Sequence, residues 1–179
     1  MKIDQIIDKY YTEARSMDKI GRALFFISFL LALFGGFTLL VMVCVNVSSI
    51  FGRVLFSSPL LGDFELVEMG CAVAIFSFLP LCHLKNGNVI VDFFSSRFPT
   101  WIQGFLDSLS HLLFGIVASI FTWRMLLGLD DMLRYNEQTM LLKLPVWIAF
   151  VPGIFSFLLL SLVCFYSFIT SFNFLYKKG

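Results

Sequence analysis

Long apolar runs separated by short charged stretches set the architecture of this chain. Ala23 to Gly52 is a 30-residue run without Asp, Glu, Lys or Arg, flanked by Arg22 and Arg53. Met69 to Leu84 gives 16 such residues, extended by Leu66 and Val67 beyond the single charge of Glu68. Ser108 to Trp123 gives another 16, bounded by Asp107 and Arg124, and Leu144 to Tyr176 gives 33. A bilayer's hydrocarbon core is about 30 Å thick, so a spanning helix needs about 20 mostly apolar residues. The pattern predicts an all-α integral membrane protein. Its four transmembrane helices lie at about 23–52, 64–85, 101–128 and 144–176, within one membrane domain over 22–179.

Residues 1–21 have a different rhythm. Ile3, Ile6, Ile7, Tyr10, Ala14 and Met17 fall at helical spacing, with Asp4, Asp8, Lys9, Glu13 and Arg15 mostly elsewhere. This predicts an N-terminal amphipathic helix lying in the headgroup plane; the alternative is a charged tail. Nine charged side chains in the first 22 residues, and the length of the run after them, argue against a cleaved signal peptide. Val89 to Trp101 reads as a second interfacial segment, with Pro99 and Thr100 placed to start the third helix. Pro80 and Pro152 are expected to kink the second and fourth helices.

Lys and Arg near helix ends resist translocation, so their distribution sets orientation. One side collects Lys2, Lys9, Arg15, Lys19, Arg22, Lys85, Arg97, Lys177 and Lys178; the other has Arg53, Arg124, Arg134 and Lys143. Nine against four puts both termini in the cytoplasm. Interfacial aromatics agree, with Trp123 and Trp147 flanking the second outer loop and Trp101, Tyr166 and Tyr176 near the inner face.

Composition narrows the function. The chain is 59% apolar and 14% charged over 179 residues, with a mean hydropathy of +0.88. A soluble domain carries about a quarter charged residues, so a soluble enzyme and a disordered regulator are excluded. A net charge of +1 supplies no field for steering polyanions, which excludes a nucleic-acid partner.

Redox and metal chemistry find little support. Cys44, Cys71, Cys82 and Cys164 lie within or at the edges of spans, where a thiol oxidase would need pairs in exposed loops; they read as small apolar packing residues. His83 and His111 both fall toward the cytoplasmic side, a conceivable haem pair but with no electron path across the bilayer. Asp107 and His111 share a helix face and read as a polar pair near the headgroups rather than a proton relay. No metal-ligand spacing, phosphate loop or nucleophile motif occurs, so no cofactor and no catalytic residue is expected. Mid-span polarity is confined to Asn46 and scattered Ser and Thr, too little for a transport path through this chain alone.

Polar residues cluster instead at the outer ends of the first two spans. Arg53 closes the first, and Asp63, Glu65 and Glu68 open the second. Helix capping alone accounts for Asp63 and Glu65. Glu68 lies a turn deeper, where an unpaired carboxylate is costly. Arg53 is its expected partner; a role at a subunit interface is the alternative. The second outer loop, 124–144, carries Asp130, Asp131, Arg134, Glu137 and Lys143, a mixed-charge surface suited to docking or an ordinary solvated loop.

The segment NVSSIFGRVLFSSPLLGDFELVE, with Arg53, Asp63, Glu65 and Glu68, is followed by NGNVIVDFFSSRFP and then by LPVWIAFVPG, with Leu144, Pro145 and Pro152. In order and spacing these resemble the small membrane subunit of tripartite ATP-independent periplasmic (TRAP) transporters, over roughly residues 20–170. Val91 and Asp92 match that family's short segment after the second span, whereas Asn88 stands where the family usually has a His. The resemblance implies a multi-pass protein of the bacterial inner membrane that works with partners. A large polytopic membrane subunit carries substrate and ion sites and moves like an elevator, and a periplasmic substrate-binding protein delivers an organic acid. The small subunit would brace the large one and contribute to docking. The rival readings are a self-sufficient small homo-oligomeric transporter or channel, a membrane enzyme, and an assembly factor.

Overall fold

Apolar residues without internal breaks favour helix wherever lipid removes water as a hydrogen-bonding partner, because a helix satisfies its own backbone. The computed structural model of the chain describes residues 19–56, 61–85 and 100–178, with side chains omitted at residues 56, 100–104 and 172–178. It contains four long helices: α1 (Lys19–Phe56), α2 (Asp63–Leu84), α3 (Thr100–Tyr135) and α4 (Trp147–Lys178). All four are long and apolar enough to cross a membrane. Residues 1–18 of the predicted amphipathic helix, 89–99 of the predicted interfacial segment, and both Asn88 and Asp92 lie outside the described residues, while Lys19–Gly21 already belong to α1 and Thr100–Trp101 to α3.

The helices pack in the order α1, α2, α4, α3. Among the described residues α3 packs mainly on α4 and touches α2 through His111 and Phe114 against His83, while α1 leans mainly on α2 and meets α4 where Gly21 abuts the Tyr166 ring. Each of α1 and α3 therefore leaves a broad face uncovered by this chain. The C-terminus of α1, the N-terminus of α2 and the turn joining α3 to α4 meet at one end of the assembly, called here the loop end.

The α1–α2 contact repeats every seven residues. Gly35 lies against Ser77, Met42 against Gly70, and Ser49 against Asp63, each pair seven residues from the next on both helices. Gly21, Phe25, Ser28, Ala32, Gly35 and Ser49 are the buried positions of α1, a spacing of fours and threes that keeps one seam facing its partner. A Cβ on Gly35 would stand 2.8 Å from that of Ser77, and one on Gly70 would overlap Met42. Small residues thus set how closely the helices approach. Lipid tails are as apolar as leucine, so this packing, rather than exclusion from water, favours helix association.

The α3–α4 contact follows a similar rule. Ser108, Gly115 and Ala118 are buried, and His111, Thr122, Met125, Leu129 and Met132 half-buried, all on one stripe of α3. Gly115 faces Cys164, Ser119 bonds Ser161 at 2.7 Å between hydroxyl oxygens, and Met125 meets Gly153. Leu129 and Met132 prolong the stripe, and Asp130 pairs with Arg134 one turn on at 3.2 Å. These contacts carry α3 through Tyr135, seven residues beyond the predicted end at 128, so half of the expected 124–144 loop is helix. Leu144 and Pro145 conversely belong to the turn, and α4 begins at Trp147 rather than at 144.

Helix α4 holds the centre. Leu160, Val163 and Cys164 are almost fully buried, and Ala118 packs with Leu160 and Cys164 against Leu79 and Phe157. The Phe157 ring lies 5.2 Å from that of Phe76 on α2 and 5.5 Å from that of Phe121 on α3, so one side chain stitches three helices. Mid-span hydroxyls are mostly turned inward on their own helices: Thr38 donates to the carbonyl of Phe34, Ser77 to Val73, Ser119 to Gly115 and Thr122 to Ala118. Asn46 donates likewise to Met42.

Candidate functional site

Two helix ends and a turn converge at the loop end. Gly62 caps α2 in the left-handed conformation, with φ of 82°, and Leu142 fills the space a Cβ would need. The position is closed to other residues both by its backbone and by its neighbour. The Leu66 amide donates to the Gly62 carbonyl at 3.2 Å, closing the first turn of the helix.

Asp63 does more than cap. One carboxylate oxygen accepts the Phe64 amide at 2.9 Å and the other accepts the Ser49 hydroxyl at 2.5 Å. The second oxygen also lies 3.9 Å from the Arg53 guanidinium. The Asp63 side chain is 11% exposed and that of Arg53 58%, so the hydroxyl contact is the dry, strong one and the ion pair is wet and long. Arg53 was expected to pair with Glu68, one turn deeper. Among the described residues Arg53 pairs with Asp63 instead, because the α1–α2 seam brings the end of α1 to the very start of α2. Glu68 is exposed and makes no ion pair among the described residues.

Glu65 reaches across the assembly. Its two oxygens accept the backbone amides of Leu141 and Leu142, at 2.8 and 3.0 Å. These residues lie 76 and 77 positions away in sequence, in the turn between α3 and α4. Capping alone, the plainer expectation for Glu65, is therefore incomplete. The turn is itself ordered: Thr139 donates its amide to Leu144 at 2.9 Å, the Leu144 amide donates back to the Thr139 hydroxyl at 3.1 Å, and Val146 donates to Glu137 at 3.2 Å. Gln138 and Pro145 form an antiparallel bridge, and Asn136 and Lys143 take left-handed φ values of 50° and 52° to make the corners. Around this frame Asp131 and Glu137 expose carboxylates with no ion pair among the described residues, while Asp130 and Arg134 pair with each other. Met140, 94% exposed, tops the turn beside the exposed Leu141.

The histidines meet at the other end. His111 Nδ1 and His83 Nε2 lie 3.0 Å apart, and the His83 ring stacks on Phe114 at 5.2 Å. This spacing is that of a direct ring-to-ring hydrogen bond. His111 makes this hydrogen bond to His83 and not to Asp107, its neighbour one turn earlier on α3. No group of three metal-ligating side chains occurs among the described residues, and the four cysteines are all free.

The sequence profile described as "Tripartite ATP-independent periplasmic transporters, DctQ component" matches residues 39–174. That range begins inside α1 and runs through nearly all of α4, so it takes in the Arg53–Asp63 contact, the Glu65 clamp and the α3–α4 turn. No curated protein and no solved structure matches the chain. The match spans well over half of the chain, which therefore belongs to the DctQ family, the small membrane component of TRAP transporters, a transporter component and not an enzyme family.

Proposed function

We propose that this chain is the scaffold subunit of an ion-coupled TRAP transporter that imports an organic acid delivered by a periplasmic binding protein. Its helices brace the large elevator subunit, and its loop end contributes to docking of the binding protein. The chain sits in the bacterial inner membrane with both termini cytoplasmic, a reading supported by the nine-to-four division of Lys and Arg. In that orientation the Glu65-clamped turn faces the periplasm.

One observation supports the bracing role: Thr38, Ser77, Ser119 and Thr122 donate to carbonyls of their own helices, Ser119 also meets Ser161 across the α3–α4 contact, and the cavity beside Ser119, Thr122 and Ser161 is small, about 240 Å³, and otherwise lined by apolar residues. A substrate path needs a row of unsatisfied polar groups along a cavity through the span. Here the hydroxyls support helix packing, which suits a rigid frame against which another subunit moves. Asp130, Asp131, Arg134 and Glu137 surround the ordered turn and offer the mixed charges of a transient docking surface.

Reconstitution tests this reading. Proteoliposomes containing the large subunit, this chain and the binding protein are expected to accumulate the organic acid under an ion gradient, and omission of this chain to abolish accumulation. Undiminished uptake without it contradicts the bracing role. Uptake by this chain alone would favour the self-sufficient transporter.

A further inference from the structure

Helix α2 has three faces, and two are accounted for. Asp63, Gly70 and Ser77 meet α1, and Phe76 meets Phe157 and Gly153 of α4. The third face carries Phe64, Glu68, Cys71, Ile75 and Cys82, recurring at helical spacing. Phe64 and Ile75 are 77% and 58% exposed, and Glu68 lies exposed between them.

The depth of Glu68 is what makes this face informative. At about 1.5 Å per residue α2 is about 33 Å long, barely more than the hydrocarbon thickness of about 30 Å. Its 22 residues leave little overhang, so its ends lie at the two interfaces. Glu68 is five residues past Asp63, about 7.5 Å along the axis and inside the hydrocarbon edge. Ionisable groups at such depth face a protein interior or a paired charge. Among the described residues Glu68 has neither, since the nearest cation in sequence, Arg53, pairs with Asp63.

We infer that the Phe64–Glu68–Ile75 stripe is the seat of the large membrane subunit, which presents an Arg or Lys side chain to Glu68 at the outer edge of the hydrocarbon. This rests on the scaffold-subunit reading and adds to it the face and the pairing chemistry. A second copy of this chain fits poorly, because a twofold contact through this stripe would set Glu68 against Glu68. Lipid tails offer the carboxylate no partner.

The test uses tagged chain co-expressed with the large subunit in native membranes. Glu68→Gln is expected to weaken recovery of the large subunit roughly tenfold, the equivalent of one charge-assisted contact, and Glu68→Lys to weaken it further. Reversal of one Arg or Lys in the large subunit to Glu is expected to restore recovery with Glu68→Lys. The melting temperature of the separately purified chain should be unchanged by Glu68→Gln, because the side chain makes no hydrogen bond or ion pair among the described residues. Wild-type recovery by Glu68→Lys overturns the inference, as does a loss of stability in the isolated chain that matches the loss of recovery, or capture of a second copy through this face. Failure of the wild-type chain itself to recover any large subunit would instead sink the scaffold reading on which the inference rests.

Discussion

The carboxylate of Glu65 and the backbone amide of Leu141 lie 2.8 Å apart, although 76 residues separate them in sequence. The same carboxylate holds Leu142, so one side chain at the start of α2 fixes the turn between α3 and α4. The backbones of α2 and α3 do not approach closely, so this clamp at one end and the His83 contacts with His111 and Phe114 at the other join the two halves of the assembly directly, with α4 between them.

Glu65→Ala is expected to free that turn. Hydrogen bonds to charged groups contribute about 1.5–3 kcal/mol each when dry, and less at this partly exposed site. We expect a lower melting temperature of the isolated chain and at least about tenfold faster hydrogen exchange at Leu141 and Leu142. Mass spectrometry of deuterated fragments would read this; unchanged exchange there would remove the clamp. Glu68→Ala should leave the same exchange unaltered, reversing the order of importance that depth alone assigns to the two carboxylates.

Ser49 and Asp63 should be energetically coupled. In a double-mutant cycle with Ser49→Ala and Asp63→Asn, thermal or denaturant unfolding is expected to show clear non-additivity. Arg53→Ala paired with Asp63→Asn should give less than about 1 kcal/mol, as a long and exposed ion pair does. Coupling of the second pair larger than that of the first would contradict this assignment.

Two adjacent glycines provide a packing test. A side chain at Gly35 runs into Ser77, whereas Gly36 has open space around it. Gly35→Leu should destabilise the isolated chain by about 1–3 kcal/mol or more, and Gly36→Leu should change it by less than about 0.5 kcal/mol. Equal effects would show that the seven-residue seam does not set the approach of α1 to α2.

For docking, charge reversal at Asp131 or Arg134 is expected to lower uptake driven by the binding protein and to change its salt dependence. Rim charges act mainly on association rate, so the effect should be largest at low ionic strength. Transport measured at several salt concentrations checks this, and unchanged uptake would remove the loop from the docking surface.

The four helices were legible because lipid imposes one simple rule, length of apolar run. Their ends were less so. Beyond Arg124 the charges of Asp130, Asp131 and Arg134 read as loop, but Leu129 and Met132 continue the packed stripe and Asp130 pairs with Arg134 along the helix. The α1–α2 seam was present in the sequence as Gly35, Met42 and Ser49 against Ser77, Gly70 and Asp63, a seven-residue recurrence that a search for apolar runs passes over. The Arg53–Asp63 pairing follows from that register once it is seen. The Glu65 clamp had no comparable signal, since its partners are backbone amides whose side chains are ordinary leucines. The His83–His111 bond was likewise hidden, because it depends on how α2 and α3 are arranged around α4.

The most direct test of the central claim is recovery of the tagged chain from its native membranes in mild detergent, followed by mass spectrometry of what accompanies it. A scaffold subunit is expected to bring one large polytopic membrane protein in near-equal amount. Recovery of this chain only, as a stable homo-oligomer, would contradict the account.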